Sequence, residues 1–319
     1  MVQALNAALR LCLRGDERTL VFGEDVGRLG GVFRVTDGLQ AEFGEKRVFD
    51  TPLAESGIVG IAIGLAMAGW RPVPEIQFDG FSFPALDQIM TNLAKYRGRS
   101  RGAYEMAVTL RLPSFGGIGG PEHHSESPET IYAHTAGLKV VTPSGAQDAF
   151  QLLVAAINDP DPVIFMEPKS RYWAREEVGL EPGGLPIGRA RVMREGEHAT
   201  LIAWGGMVHR CLQVAEAAAE DEVSLEVLDL RTLVPLDEAA LVASVSRTGR
   251  AVVVHEAPRT AGFGAEVSAR LMERAFGALR APVERVTGWD VPYPSAALEH
   301  RYIPSLDRIL LAVQRVLDY

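Results

Sequence analysis

One carboxylate, Glu55, stands at the mouth of the run Glu55-Ser-Gly-Ile-Val-Gly-Ile-Ala-Ile-Gly-Leu-Ala-Met-Ala-Gly69, which is otherwise apolar and glycine-rich. Apolar surroundings disfavour the charged form of a carboxyl group and raise its pKa, which suits a group that shares a proton. The plainer reading of a first-turn Glu, a surface residue favoured by the helix dipole, stands beside it. A second cluster is Glu122-His-His-Ser-Glu126, directly after the run Phe115-Gly-Gly-Ile-Gly-Gly-Pro121. Imidazoles change charge near neutral pH, so this loop has the means to move protons. Neighbouring side chains point different ways, so only one of His123 and His124 is expected to face a site. Solvent-exposed loop residues and loose metal ligands are the alternatives. Zinc is disfavoured, because neither HExxH nor paired-cysteine spacing occurs. Phe78, Phe81 and Phe83 fall within six residues of one another and are candidates either for stacking on a ligand or for ordinary core.

Two kinds of element have to position these groups. Thr51 and Pro52 read as a helix start, with Glu55 in the first turn. Gly57, Gly60, Gly64 and Ala68 then form a bare stripe that another helix or a ligand could approach closely. Around this helix the first half alternates apolar runs with helical patterns: Thr19–Phe22, Val73–Ile76, a helix over Leu86–Tyr96, Ala107–Leu112, Lys139–Thr142 and Val163–Met166. Such alternation predicts an α/β fold on a largely parallel sheet. The glycine-rich run before Glu122 reads as a mobile active-site loop. A polar Gly/Pro stretch, Glu176 to Pro186, marks a linker, placed at 176–188 between units 1–175 and 189–319. The second unit repeats the grammar with Ala199–Trp204, a helix near Val208–Glu220, Ser224–Leu228 and Ala251–His255. It spans roughly 130 residues, an ordinary domain size.

Composition limits the function classes. A length of 319 residues fits two domains, and 47% hydrophobic residues supports sizeable cores. A net charge of −9 gives no excess of cations for phosphates, which argues against nucleic acid as a partner. The basic cluster Lys95-Tyr-Arg97-Gly-Arg99-Ser-Arg101 reads as a solvated helix end, with a docking surface as the alternative. Cys12 and Cys211 lie apart in apolar contexts and read as core thiols of a reducing compartment. No stretch has the length to span a membrane and no targeting segment is recognisable, so a cytoplasmic location is expected.

Three segments together carry a resemblance: Phe22-Gly-Glu-Asp-Val-Gly27, the run from Ala68 through Glu75-Ile-Gln-Phe78 to Ile89, and Glu122-His-His-Ser-Glu-Ser-Pro128. With the closing Val286-Thr-Gly-Trp-Asp-Val-Pro-Tyr-Pro294 and Tyr302-Ile-Pro304, essentially the whole chain resembles the beta subunit of the thiamin-diphosphate-dependent dehydrogenase component of 2-oxoacid dehydrogenase complexes. The resemblance implies a pyrimidine-binding domain followed by a transketolase C-terminal-like domain. It implies that Glu55 is the acid beside the aminopyrimidine ring nitrogen, that Phe81 stacks on that ring, and that His124 serves acyl transfer to a lipoyl group.

The resemblance also gives meaning to an absence. Thiamin enzymes anchor the diphosphate through a divalent metal held by a Gly-Asp-Gly motif, and this chain contains none. The expectation is half of an active site, with diphosphate and magnesium held by an alpha subunit in a two-alpha, two-beta heterotetramer. A lipoyl-bearing transacylase would be the further partner. The family can hold potassium through main-chain carbonyls at positions matching Val108, Ala156, Asp159 and Asp161, although Asp159-Pro-Asp-Pro162 also reads as a simple turn. His124-Ser-Glu-Ser-Pro-Glu129, His255-Glu-Ala-Pro258 and the Val286–Pro294 segment look more like branched-chain than pyruvate members, while Glu126 departs from the glutamine expected there. Pyruvate dehydrogenase, a non-catalytic scaffold subunit and a stand-alone transketolase-like enzyme are the competing readings.

Overall fold

The computed structural model describes residues 1–181 and 185–319. Pro182, Gly183 and Gly184, inside the expected linker, lie outside the described residues. Among the described residues twelve strands follow in chain order: β1 (Thr19–Gly23), β2 (Val48–Asp50), β3 (Arg71–Glu75), β4 (Thr109–Ser114), β5 (Lys139–Val141), β6 (Val163–Pro168), β7 (Arg191–Arg194), β8 (Ala199–Ala203), β9 (Leu225–Asp229), β10 (Thr232–Val234), β11 (Ala251–Pro258) and β12 (Glu284–Gly288). They form a seven-stranded sheet in the order β10-β5-β6-β4-β3-β1-β2 and a five-stranded sheet in the order β12-β11-β8-β9-β7. Within each sheet every pairing is parallel except those of β10 with β5 and β7 with β9. This is the α/β architecture that the alternating runs predict.

The central strands β4 and β6 are buried at every position, as strands covered by helices on both faces must be. Pro72 and Pro74 supply no N–H on the side of β3 that faces β4, and the ladder there reduces to the pair Glu75–Arg111. The second unit does not keep to itself. Thr232–Val234 leaves it to pair antiparallel with β5 on the first sheet, and one hydrophobic core runs from Leu112 and Tyr132 to Ile202 and Trp204.

Two local expectations change. The helix carrying Glu55 spans Glu55–Met67 rather than starting at Pro52. The N–H of Thr51 is still bonded to the Gly23 carbonyl at 3.0 Å, so the chain remains extended after β2 and turns only at Ala54. The helix expected over Leu86–Tyr96 runs on to Arg99, follows a 3-10 turn at Asp79–Ala85, and contains a π-helical segment at Gln88–Leu93.

Candidate active site

The parallel strands deliver the chemistry-bearing residues to one edge of the first sheet. Glu24 follows β1, Glu55 follows β2, the turn bearing Phe81 follows β3, the loop bearing His124 follows β4, and Lys169 follows β6. Ligands of open parallel sheets bind outside the carboxyl ends of the strands, where the loops can be varied without disturbing the ladders.

Phe81 and His124 are brought together directly. Their ring centroids lie 5.1 Å apart in an edge-to-face arrangement, and Phe78 closes on His124 at 4.3 Å. Such contacts favour the quadrupole geometry of aromatic pairs. His123 stacks on Phe81 at 5.7 Å but stays exposed, whereas His124 is half-buried. Burial, then the neighbouring His123 and Lys169, hold the His124 imidazole below its ordinary pKa. Its Nδ1 is buried without a hydrogen-bond partner, so the ring presents an unused donor or acceptor. The 3-10 turn of Phe81 packs against both the short His123–His124 turn and the Glu55–Met67 helix.

Glu55 joins this group through its helix rather than by a direct bond. It is half-buried, and among the described residues its carboxylate has no hydrogen-bond or ion-pair partner within the chain. The enclosing apolar wall expected around it is incomplete: Gly57 and Gly64 are exposed, a Cβ at Gly64 would meet nothing within 4 Å, and Leu53 is 81% and Ile61 52% exposed. The bare stripe is therefore an open face of this chain.

Sequence reasoning passed over three supporting groups. Glu24 is buried with both carboxyl oxygens unpartnered, and burial followed by repulsion from Glu55, Asp25 and Glu75 pushes it up to about 7. Arg111 is fully buried between Glu75 and Glu167, donating to Glu167 at 2.6 and 2.9 Å, with the Tyr172 hydroxyl 2.7 Å from the same carboxylate. Burial works against the charge of Arg111, but the two carboxylates outweigh it and raise its pKa. Asp79 and Lys169 form a second buried ion pair, and Asp79 also accepts from the Gly80 N–H at 2.9 Å. This pair fastens the start of the Phe81 turn to the end of β6. The available signal was charge within or just after apolar strands, where a charged side chain is present only if something pairs with it.

The residues fit one part of thiamin diphosphate and not the rest. The half-buried Phe81 ring, the open Glu55 carboxylate and the unpartnered His124 Nδ1 suit a flat, nitrogen-rich heterocycle. Nothing comparable suits the diphosphate and its metal: among the described residues no three His, Cys, Asp or Glu side chains converge as a metal site. At the expected potassium position the Val108 carbonyl accepts from Val163 N–H at 2.9 Å and the Ala156 carbonyl from Asp159 N–H at 3.1 Å. Beside them the Lys139 ammonium bridges the carboxylates of Asp159, at 2.7 Å, and Asp161, at 3.2 Å. Among the described residues no helix is long and apolar enough to cross a membrane.

Both domains have counterparts among known proteins. Residues 1–173 match the transketolase pyrimidine binding domain, and residues 188–309 the transketolase C-terminal domain. The chain is 56% identical, over its whole length and 95% of the relative, to a pyruvate dehydrogenase E1 component subunit beta of Leifsonia xyli subsp. xyli. It is 55% identical, over 99% of its length and 91% of the relative, to a 3-methyl-2-oxobutanoate dehydrogenase subunit beta of Mycobacterium tuberculosis. The fold also matches a solved structure described as a split gene transketolase, inactive beta4 tetramer, with a TM-score of 0.82 at 23% identity, covering 99% of this chain and 97% of that one. With both transketolase-type domains present and relatives of this identity aligned end to end, the chain belongs to the family of 2-oxoacid dehydrogenase beta subunits.

Proposed function

We propose that this chain supplies the aminopyrimidine half of a thiamin-diphosphate site and is active only with an alpha subunit, in a two-alpha, two-beta assembly that holds the diphosphate and magnesium. The observation that carries the reading is the convergence of Phe81, His124 and the Glu55 helix at one sheet edge, in a chain without a Gly-Asp-Gly motif. The uncovered glycine stripe of that helix supports a partner, since close-packing residues are of use only against a second surface. The units are 1–175 and 189–319, joined by 176–188.

Thiamin diphosphate, when bound, supplies the carbon nucleophile and electron sink for decarboxylation of a 2-oxo acid. In this reading Glu55 holds a proton against the aminopyrimidine nitrogen, Phe81 fixes the plane of that ring, and His124 handles the proton of acyl transfer to a lipoyl arm of a transacylase. Val108, Ala156, Asp159 and Asp161 are the corresponding main-chain positions for potassium. Branched-chain 2-oxo acids are favoured over pyruvate by the motifs at His124–Glu129, His255–Pro258 and Val286–Pro294; the two relatives, at 56% and 55% identity, do not separate the substrates. The reading places the protein in the cytoplasm.

The test is decarboxylation by the chain mixed with its alpha partner, with pyruvate and with 3-methyl-2-oxobutanoate. Glu55→Gln should lower turnover by about a hundredfold or more, the scale of a lost proton-transfer group. Full activity in that variant, or turnover by this chain alone, removes the reading.

A further inference from the structure

The glycine run ahead of His124 is held, and what holds it comes from the other domain. Its neck is closed by the Phe115 N–H bonded to the Glu126 carbonyl at 3.0 Å. Beyond the neck, three successive anchors belong to the second unit. The buried Glu256 carboxylate accepts from the Gly116 N–H at 2.9 Å. The Glu299 carboxylate accepts from the Gly117 N–H at 2.9 Å and the Gly119 N–H at 3.2 Å. The Tyr293 hydroxyl donates to that same Glu299 at 2.8 Å.

The glycines are required by this contact. A Cβ on Gly116 would lie 1.9 Å from the Tyr293 hydroxyl oxygen, while Gly117 and Gly119 have φ of +91° and +67°, conformations that side chains disfavour. The N–H groups of Gly117 and Gly119, turned toward one carboxylate, form a concave anion seat. Here the chain fills that seat with its own Glu299, so it is used for fastening rather than for a ligand. At the far side of the loop, Gly80 lies beneath His123, where a Cβ would come within 2.5 Å of the His123 carbonyl oxygen. The loop is thus fixed between the Phe81 turn and the second domain.

We infer that Glu299, braced by Tyr293, is a positioning residue that latches the Gly116–Gly120 arm so that His124 is presented to Phe81. The inference deepens the function proposed above and rests on it for the role of His124. Glu299 touches no reacting atom, and it acts through the loop.

Amide hydrogen exchange on the chain, alone and with its alpha partner, reads the latch without reference to chemistry. Glu299→Ala should speed exchange at Gly117 and Gly119 by about tenfold, as local opening becomes easier. Glu299→Gln, which keeps an accepting oxygen, should restore most of the protection. Tyr293→Phe removes only the brace and should give a smaller increase, so the latch stays testable if Glu299→Ala folds poorly. Unchanged exchange at both glycines in Glu299→Ala and Tyr293→Phe overturns the latch. In the assembled enzyme, Glu299→Ala should lower acylation of a free lipoyl domain several-fold more than decarboxylation read with an artificial electron acceptor. An equal fall in both overturns the positioning role. His124→Ala measured alongside keeps the two ideas apart: wild-type acylation in that variant removes the assigned role of His124, whereas the exchange result stands or falls by itself.

Discussion

Replacing Lys169 by Met removes the ion-pair partner of Asp79 while keeping the volume of the side chain. Both residues are fully buried, and Asp79 also accepts the backbone N–H of Gly80. Deleting one member of a buried ion pair costs about 3–5 kcal/mol, because the remaining charge has lost its compensation. The pH dependence follows from Asp79. Burial raises its carboxyl, and with Lys169 in place only as far as about 6. A carboxyl whose folded pKa exceeds its unfolded value stabilises the fold below the unfolded pKa and loses that contribution as pH rises to the folded one. In the wild type the loss is complete near pH 6; in Lys169→Met, without the ammonium, it continues upward. Between about pH 6 and about pH 7.5 the variant should therefore fall behind by up to about 2 kcal/mol more, at about 1.4 kcal/mol per unit. Thermal unfolding across that interval is the assay, with Asp79→Asn/Lys169→Met as the closing corner of the double-mutant cycle. The double variant should recover about 1–3 kcal/mol of the single loss. A stability gap that does not change with pH, together with strictly additive losses, would refute the argument that Asp79 carries the buried charge.

Two further perturbations test how the site is held. Gly80→Ala puts a methyl group against the His123 carbonyl, so the histidine loop must move; lipoyl acylation should fall by about tenfold or more while the melting temperature drops by only a few degrees, since a small misplacement of a catalytic group is costly. A melting temperature lowered in proportion to activity would show a folding defect instead. His123→Ala removes a neighbouring imidazole that helps hold the His124 pKa down, so the His124 titration followed by NMR should move upward. The burial contribution, being larger, should keep it below the ordinary histidine value, and a downward move would contradict the electrostatic account.

The sequence is most informative where burial dictates composition. The runs at Thr19–Phe22, Val163–Met166, Ala199–Trp204 and Ala251–His255 are apolar because helices cover both faces, and each is a strand within a residue or two of its expected bounds, apart from β11, which continues to Pro258. The short strands β2, β7, β10 and β12 escape such reading, since three to five residues of mixed character carry little periodicity. Phe81 and His124 were found by their resemblance to a family pattern, and the ring contact supports grouping them. The mobile loop expected before Glu122 is instead fastened, because Glu256, Tyr293 and Glu299 lie more than a hundred residues away in sequence. Nothing local in a glycine run records the carboxylates that its N–H groups will meet.

The antiparallel strand Thr232–Val234 has a consequence for how the polypeptide can be cut. β5, with Val140 and Val141 fully buried, would be the outermost strand of the first sheet without it. An unprotected apolar margin is a template for pairing with other chains, so residues 1–175 produced alone should self-associate rather than remain monomeric. Three residues from the far half shield that margin, so the two units should melt as one cooperative event. A break engineered in the linker of the folded protein should leave the halves together, whereas separate production should leave each with a surface made for the other.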